Sequence, residues 1–218
     1  MKRRYFFIIP LCLFAFFVNA QETKEGDSGS KVLPVYRIEA GYSQIQRYGT
    51  YVSPTSFRVV RLGGSVEFPL QYNVGITAGL NYDYGFGEKT QYFVAPKDTA
   101  SYSYSNHTLN IPVRVTYTLP VFWGFKLFGY AGPNFSVGLS QPVSLTSSQG
   151  TSWIEAGDYN AYKDKINRFD IQLGAGGGLQ WRTFRLKSGY DWGLLNIGKE
   201  KGASQHNRGW VVSLEYEF

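Results

Sequence analysis

Three sets of residues have the types and spacings that chemistry needs. Ser204 and His206 lie two apart, with Glu200 four residues before Ser204. A hydroxyl, an imidazole and a carboxylate are the parts of a hydrolytic triad. Residues so close together in one loop rarely reach triad geometry, so no catalytic residue is assigned. Gly174-Ala175-Gly176-Gly177-Gly178 has the composition of a phosphate-cradling loop. No basic residue follows it and no helix pattern opens after it, so it lacks the context of a nucleotide fingerprint. Its alternate glycines are better explained by crowding from side chains opposite, such as Tyr130 or the arginines. The third set is the largest. Arg37, Glu39, Arg61, Glu67, Asp83, Arg114, Asp170, Arg185, Lys187, Asp191 and Glu215 recur on polar rows set against apolar ones. Both signs are present, so the chemistry on offer is ion pairing in a confined interior, where buried charges persist only when paired and hydrogen-bonded. His107 and His206, with a lone cysteine at position 12, make no metal-ligand set. No cofactor and no metal are expected.

Alternation identifies the elements that carry these rows. In Trp210-Val211-Val212-Ser213-Leu214-Glu215-Tyr216-Glu217-Phe218, the residues Trp210, Val212, Leu214, Tyr216 and Phe218 form an apolar row. Val211, Ser213, Glu215 and Glu217 form the opposite one. A period of 2 places the two rows on the two faces of a strand. Seven earlier segments alternate likewise, at about 35–43, 57–68, 72–84, 106–119, 125–137, 167–181 and 184–196. Pro112 inside the fourth predicts a bulge there. Facing is least distinct in the fifth, where Phe125, Leu127, Ala131, Phe135 and Val137 are assigned outward and Lys126, Tyr130, Asn134 and Ser136 inward.

Eight strands joined alternately by short and long connections describe an up-and-down antiparallel barrel. The short links follow the second, fourth and sixth strands. Long links follow the others, the longest between Gly138 and Ile166. In a transmembrane barrel the short turns are periplasmic and the long loops extracellular. A soluble barrel such as a lipocalin also alternates, but with its apolar row inward and its charges in water. Aromatic residues at strand ends on the apolar row (Tyr42, Phe68, Tyr84, Trp181, Phe184, Trp192) favour lipid outside, because rings collect at the membrane–water boundary. The expected fold class is therefore all-β, an eight-stranded antiparallel up-and-down transmembrane β-barrel. An interior of eight strands is only wide enough to be filled by side chains.

Composition agrees. The 218 residues include Gly 25, Tyr 17 and Phe 16, a profile suited to strands and tight turns. Residues 1–20 read as a signal peptide: Lys2, Arg3 and Arg4, an apolar core, then Val18-Asn19-Ala20 before a cut ahead of Gln21. Residues 21–34 read as a polar, disordered periplasmic leader, and 35–218 as the barrel. Without Lys2, Arg3 and Arg4 the balance is 19 basic against 16 acidic residues. That leaves no basic stripe for nucleic acid, which is excluded as a partner. The mature chain keeps no thiol.

Gly64-Ser65-Val66-Glu67-Phe68-Pro69-Leu70, Ile111-Pro112, Ala131-Gly132-Pro133 and Gly189-Tyr190-Asp191-Trp192-Gly193-Leu194-Leu195-Asn196-Ile197 together resemble the small outer-membrane β-barrels of Gram-negative bacteria called PorT-like. The row from Trp210 to Phe218 is similar to the assembly signal read by the barrel-assembly machinery. The resemblance implies the cell outer membrane as location, its lipid as surroundings and that machinery as a partner in biogenesis. Some such barrels serve a protein-secretion apparatus, so an envelope or secretion protein is an expected partner. It implies no functional residue. The tyrosine-, serine- and threonine-rich loops at 85–105 and 138–166 would carry binding, and Asp98-Thr99-Ala100 resembles a periplasmic O-glycosylation acceptor. The expected role is that of a structural or interaction protein acting through loops and periplasmic ends. The alternative is an outer-leaflet lipid-modifying enzyme.

Overall fold

A computed structural model describes residues 33–50, 54–92, 99–149, 159–199, 202 and 204–218. The segments assigned as signal peptide and leader lie outside these residues, apart from Leu33 and Pro34, and Glu200 and Asp98 lie outside them too. In chain order the elements are β1 (Val35–Gly49), β2 (Thr55–Pro69), β3 (Val74–Tyr92), β4 (Thr99–Pro120), β5 (Phe125–Ser140), β6 (Pro142–Gln149), β7 (Tyr159–Asn160), α1 (Ala161–Asp164), β8 (Phe169–Trp181), β9 (Phe184–Gly193) and β10 (Gln205–Glu217). Hydrogen bonding runs β3-β2-β1-β10-β9-β8-β5-β4, and β4 returns to β3. Every pairing is antiparallel. These eight strands therefore close on themselves, as an up-and-down barrel requires. Closure is made by β1 against β10, from Arg37↔Glu217 to Gly49↔Gln205.

The rows sort by chemistry in the order opposite to that of a soluble barrel. Ile38, Tyr42, Val60, Leu62, Leu80, Val115, Leu127, Leu173, Leu186, Val212 and Leu214 are all exposed on the outer wall. Arg37, Glu39, Arg61, Glu67, Asp83, Arg114, Asp170, Arg185 and Glu215 are buried inside. Paired rings sit on the outer wall near the short turns: Tyr36 with Phe218, Phe184 with Tyr216 and Phe125 with Trp181, with centroids 5.4–6.4 Å apart. Such a surface is stable only against hydrocarbon, with rings at the headgroup level. No helix among the described residues is long and apolar enough to cross a membrane; the spans are strands.

Three departures from the alternation-based expectation have physical causes. The strands run further on the long-loop side, because β3 and β4 continue pairing out to Tyr92↔Thr99 with polar side chains that carry no apolar period. On the same side β8 starts at Phe169 rather than 167, and β9 stops at Gly193. The bulge expected at Pro112 is absent. β4 keeps one register with β5 through Pro112↔Asn134, and its shift falls between His107 and Thr108 instead. Pro112 is accommodated by Gly79 opposite, where a Cβ would lie 3.1 Å from Pro112 Cγ. In β5 the assigned facing holds for Tyr130, Asn134 and Ser136, and Phe128 also points inward, 6% exposed.

The connection between β5 and β8 is not simply a loop. β6 pairs with the outer extension of β4, and β7 and α1 fold back over the mouth of the barrel. Asn160 caps α1, accepting from Tyr162 N at 3.1 Å. Tyr162, Ala161, Ile166 and Ile197 pack there with Phe57, Val59, Tyr104 and Val143 as one buried apolar cluster.

Candidate functional site

The lumen is the site that the strands build. Because inward residues alternate along β1, β2, β3, β4, β8, β9 and β10, charges from separate strands meet across a space only one or two side chains wide. At the short-turn end Arg37 donates to Glu67 at 2.7 Å and to Glu217 at 2.9 Å. Arg185 reaches Glu67 at 3.2 Å and Glu215 at 3.9 Å, and its guanidinium lies 4.2 Å from the Phe128 ring. Lys187 donates to Glu39 at 2.8 Å and to Glu215 at 2.6 Å. Higher up, Arg61 makes a two-pronged pair with Asp83, both bonds 2.8 Å. Arg114 donates to Asp191 at 2.6 Å and to the Gly132 carbonyl.

Ten of the eleven residues singled out from the sequence thus meet an opposite charge. Asp170 does not. It lies in the lumen, but its bonds come from the amides of Gln172 and Asn207, each at 3.1 Å. Asn207 also accepts from Arg47 at 3.2 Å, so an amide stands between the carboxylate and the nearest cation on its side. Arg47 and Glu217 escaped selection. Arg47 lies beyond the point where apolar alternation in β1 fades. Glu217 is on the inward row of the terminal strand, and its pairing with Arg37 follows from the register of β10 against β1, which alternation alone does not set.

Glycines supply the remaining room. A Cβ at Gly174 would collide with Asp191 and lie 2.5 Å from Arg114 Nη2. At Gly176 it would lie 2.5 Å from the Tyr130 hydroxyl, and at Gly178 2.8 Å from Phe128 Cζ. Beside the Arg61–Asp83 and Arg114–Asp191 pairs Asn134 donates to Asn110 and Gln172 in an amide cluster, and on the long-loop side Tyr162 closes the mouth. Its hydroxyl donates to Asn106 at 2.8 Å, and its ring fills the space beside Gly138. Cavities of about 40 and 50 Å³ remain in the lumen. Small-molecule sites run to several hundred Å³, so neither holds a solute of ordinary size.

The catalytic alternative finds little geometry. The Ser204 hydroxyl is 3.2 Å from that of Thr50, and the His206 ring lies beside Tyr48, 5.9 Å between centroids. His107 faces outward and its Nδ1 is 2.5 Å from the Tyr82 hydroxyl. Among the described residues no three metal-ligating side chains converge.

A closed barrel with lipid-compatible walls and a charged, packed interior is a transmembrane barrel of the outer-membrane kind. The chain belongs to the outer membrane protein beta-barrel domain family, whose model matches residues 36–198. Its location is accordingly the outer membrane. No curated protein matches the chain. Among solved structures it is similar to Neisserial surface protein A, at 10% identity and a TM-score of 0.49, covering 84% of this chain and 97% of that one. The attachment invasion locus protein Ail of Yersinia pestis, in complex with the heparin analogue sucrose octasulfate, matches at 15% identity and 0.43, covering 85% and 99%. The outer membrane enzyme PagL matches at 12% and 0.45, covering 84% and 99%. At these values the likeness extends to the general fold and to nothing finer.

Proposed function

We propose that the protein is a non-catalytic, non-conducting barrel that serves as a membrane-embedded docking element, an accessory of secretion or envelope assembly of the PorT-like kind. The observation that carries this reading lies at the short turns. Tyr72 and Trp123 stand at turn tips with φ of 60° and 50° and are 86% and 88% exposed. Left-handed backbone disfavours side chains of this size, and asparagine or glycine is the ordinary choice. Two bulky rings held out at such positions are costly for folding and well placed for contact with a periplasmic protein. The resemblance to PorT-like barrels supports the same reading, as does a lumen filled and capped against transport.

The test is quantitative capture from detergent-solubilised membranes, comparing the native barrel with a Tyr72→Asn/Trp123→Asn variant. The variant should reach the membrane at normal levels and unfold at least as late as the native form, since each asparagine relieves about 1 kcal/mol of backbone strain. It should lose a periplasmic protein that the native barrel retains. An unchanged set of co-purifying proteins would remove the turns as the docking surface. For the enzymatic alternative, Ser204→Ala and His206→Ala should leave the lipid A and phospholipid profiles as they are. Loss of a lipid species in either would favour the enzyme.

A further inference from the structure

The outward rows of the eight barrel strands are apolar over most of their length. Among the described residues they hold three charged side chains: Arg58 on β2, Glu88 on β3 and Arg208 on β10. The two arginines lie on adjoining parts of the wall. Arg58 is opposite Gln44 of β1, and Arg208 is opposite Gln46 of the same strand. Their height follows from counting. Arg58 lies ten residues from Phe68, Gln46 ten from Tyr36, and Arg208 ten from Phe218, each of the three apolar residues standing at the short-turn end of the wall. Ten residues at ~3.3 Å each, in strands tilted by ~35–45°, rise roughly 25 Å. An apolar band of an outer-membrane barrel is about 25 Å tall. Both guanidinium groups therefore stand where the outer leaflet's acyl chains give way to its headgroups.

Arg208 is already fixed in place. Its Nε and Nη2 donate to Gln46 Oε1 at 3.1 and 2.8 Å, and its guanidinium lies 4.5 Å from the centre of the Tyr48 ring. Nη1 has no protein acceptor among the described residues. Arg58 is exposed and pairs with no carboxylate there, Glu88 being the one anion on the neighbouring outward row. Directly below lie Tyr42, Val60 and Trp210, which are exposed apolar surface for acyl chains. His206 and Gln44 complete the polar border. Guanidinium groups bind phosphate oxygens by paired, charge-assisted bonds that an ammonium cannot reproduce.

We propose that Arg58, Gln46 and Arg208 form an external site for the phosphate of an outer-leaflet glycolipid, whose acyl chains lie on Tyr42, Val60 and Trp210. The site is on the wall, separate from the lumen and from the periplasmic turns. It would hold one lipid in a fixed place on the β2–β1–β10 side.

Native mass spectrometry of the detergent-purified barrel, titrated with lipid A or with the same lipid dephosphorylated, tests this. The native protein should bind the phosphorylated lipid at least tenfold more tightly. Arg58→Gln/Arg208→Gln should bring the two lipids within about threefold of each other, and Arg58→Lys/Arg208→Lys should keep part of the preference. All three proteins should show the same heat-modified gel shift, because the altered side chains lie outside the fold's interior. Equal binding of the two lipids by the native barrel would mean that the arginines only extend their charge towards water, and would overturn the proposal. So would an undiminished preference in the glutamine variant. Displacement of the lipid by equimolar inorganic phosphate would assign the site to a free anion and overturn the glycolipid.

Discussion

Arg61 and Asp83 show what a charge inside this barrel depends on. Both are buried, and two 2.8 Å bonds join them. Desolvation of such a pair consumes most of its attraction, while removal of one member strands the other in a poor dielectric. Arg61→Met alone should therefore cost about 3–5 kcal/mol in urea unfolding from lipid vesicles, whereas Arg61→Met with Asp83→Leu should recover most of that loss. Equal losses in the single and double variants would show that Asp83 finds another partner. Asp170 behaves differently, because its bonds come from neutral amides. Its charge was legible from the sequence and its partners were not, since a polar row reveals which side chains point inward but not which of them meet across the barrel.

At the scale of the strand, alternation was enough to place all eight spans and, outside the fifth, their faces; there Lys126, expected inward, is exposed at the short-turn end. Alternation works because one wall meets hydrocarbon and the other a polar interior, so every second residue is constrained. It failed wherever that constraint lapses. The outer extensions of β3 and β4, and the segment of β6 that pairs with β4, are rich in Ser, Thr and Tyr and have no apolar alternation in sequence. α1 is a four-residue helix, too short for a period of 3.6 to show. Its role rests on Tyr162, and Tyr162→Ala should loosen the cap while sparing the barrel. Amide exchange should quicken at least tenfold in α1 and β6 and stay unchanged in β8, β9 and β10. Faster exchange throughout would mean that the cap is part of the barrel's cooperative unit. Phe218 tests the terminal row in the same way. It is 71% exposed and stacks on Tyr36 at 6.4 Å, so its ring contributes at most a few kcal/mol. Read as part of an assembly signal with Trp210, Val212, Leu214 and Tyr216, it matters before the strand is paired. Phe218→Asp should lower the amount reaching the outer membrane, with melting of the folded fraction shifted by only a few degrees. Normal amounts with a large drop in melting temperature would make it a packing residue.

For the whole molecule, wall and interior lead to one conclusion. Outside, the apolar rows and paired rings fit a bilayer. Inside, ion pairs and amides fill the lumen and the Tyr162 cap closes it, leaving cavities of about 40 and 50 Å³. On the reading proposed above, the protein acts through its surfaces: the turns that expose Tyr72 and Trp123, the capped outer face, and the wall near Arg58 and Arg208. Conductance across a planar lipid bilayer is the most direct measure of this. The purified, folded barrel should insert and give no discrete current steps over a range of voltages and salts. Stable, ion-selective openings in the native protein would contradict the account, because a filled and capped lumen has no path for them.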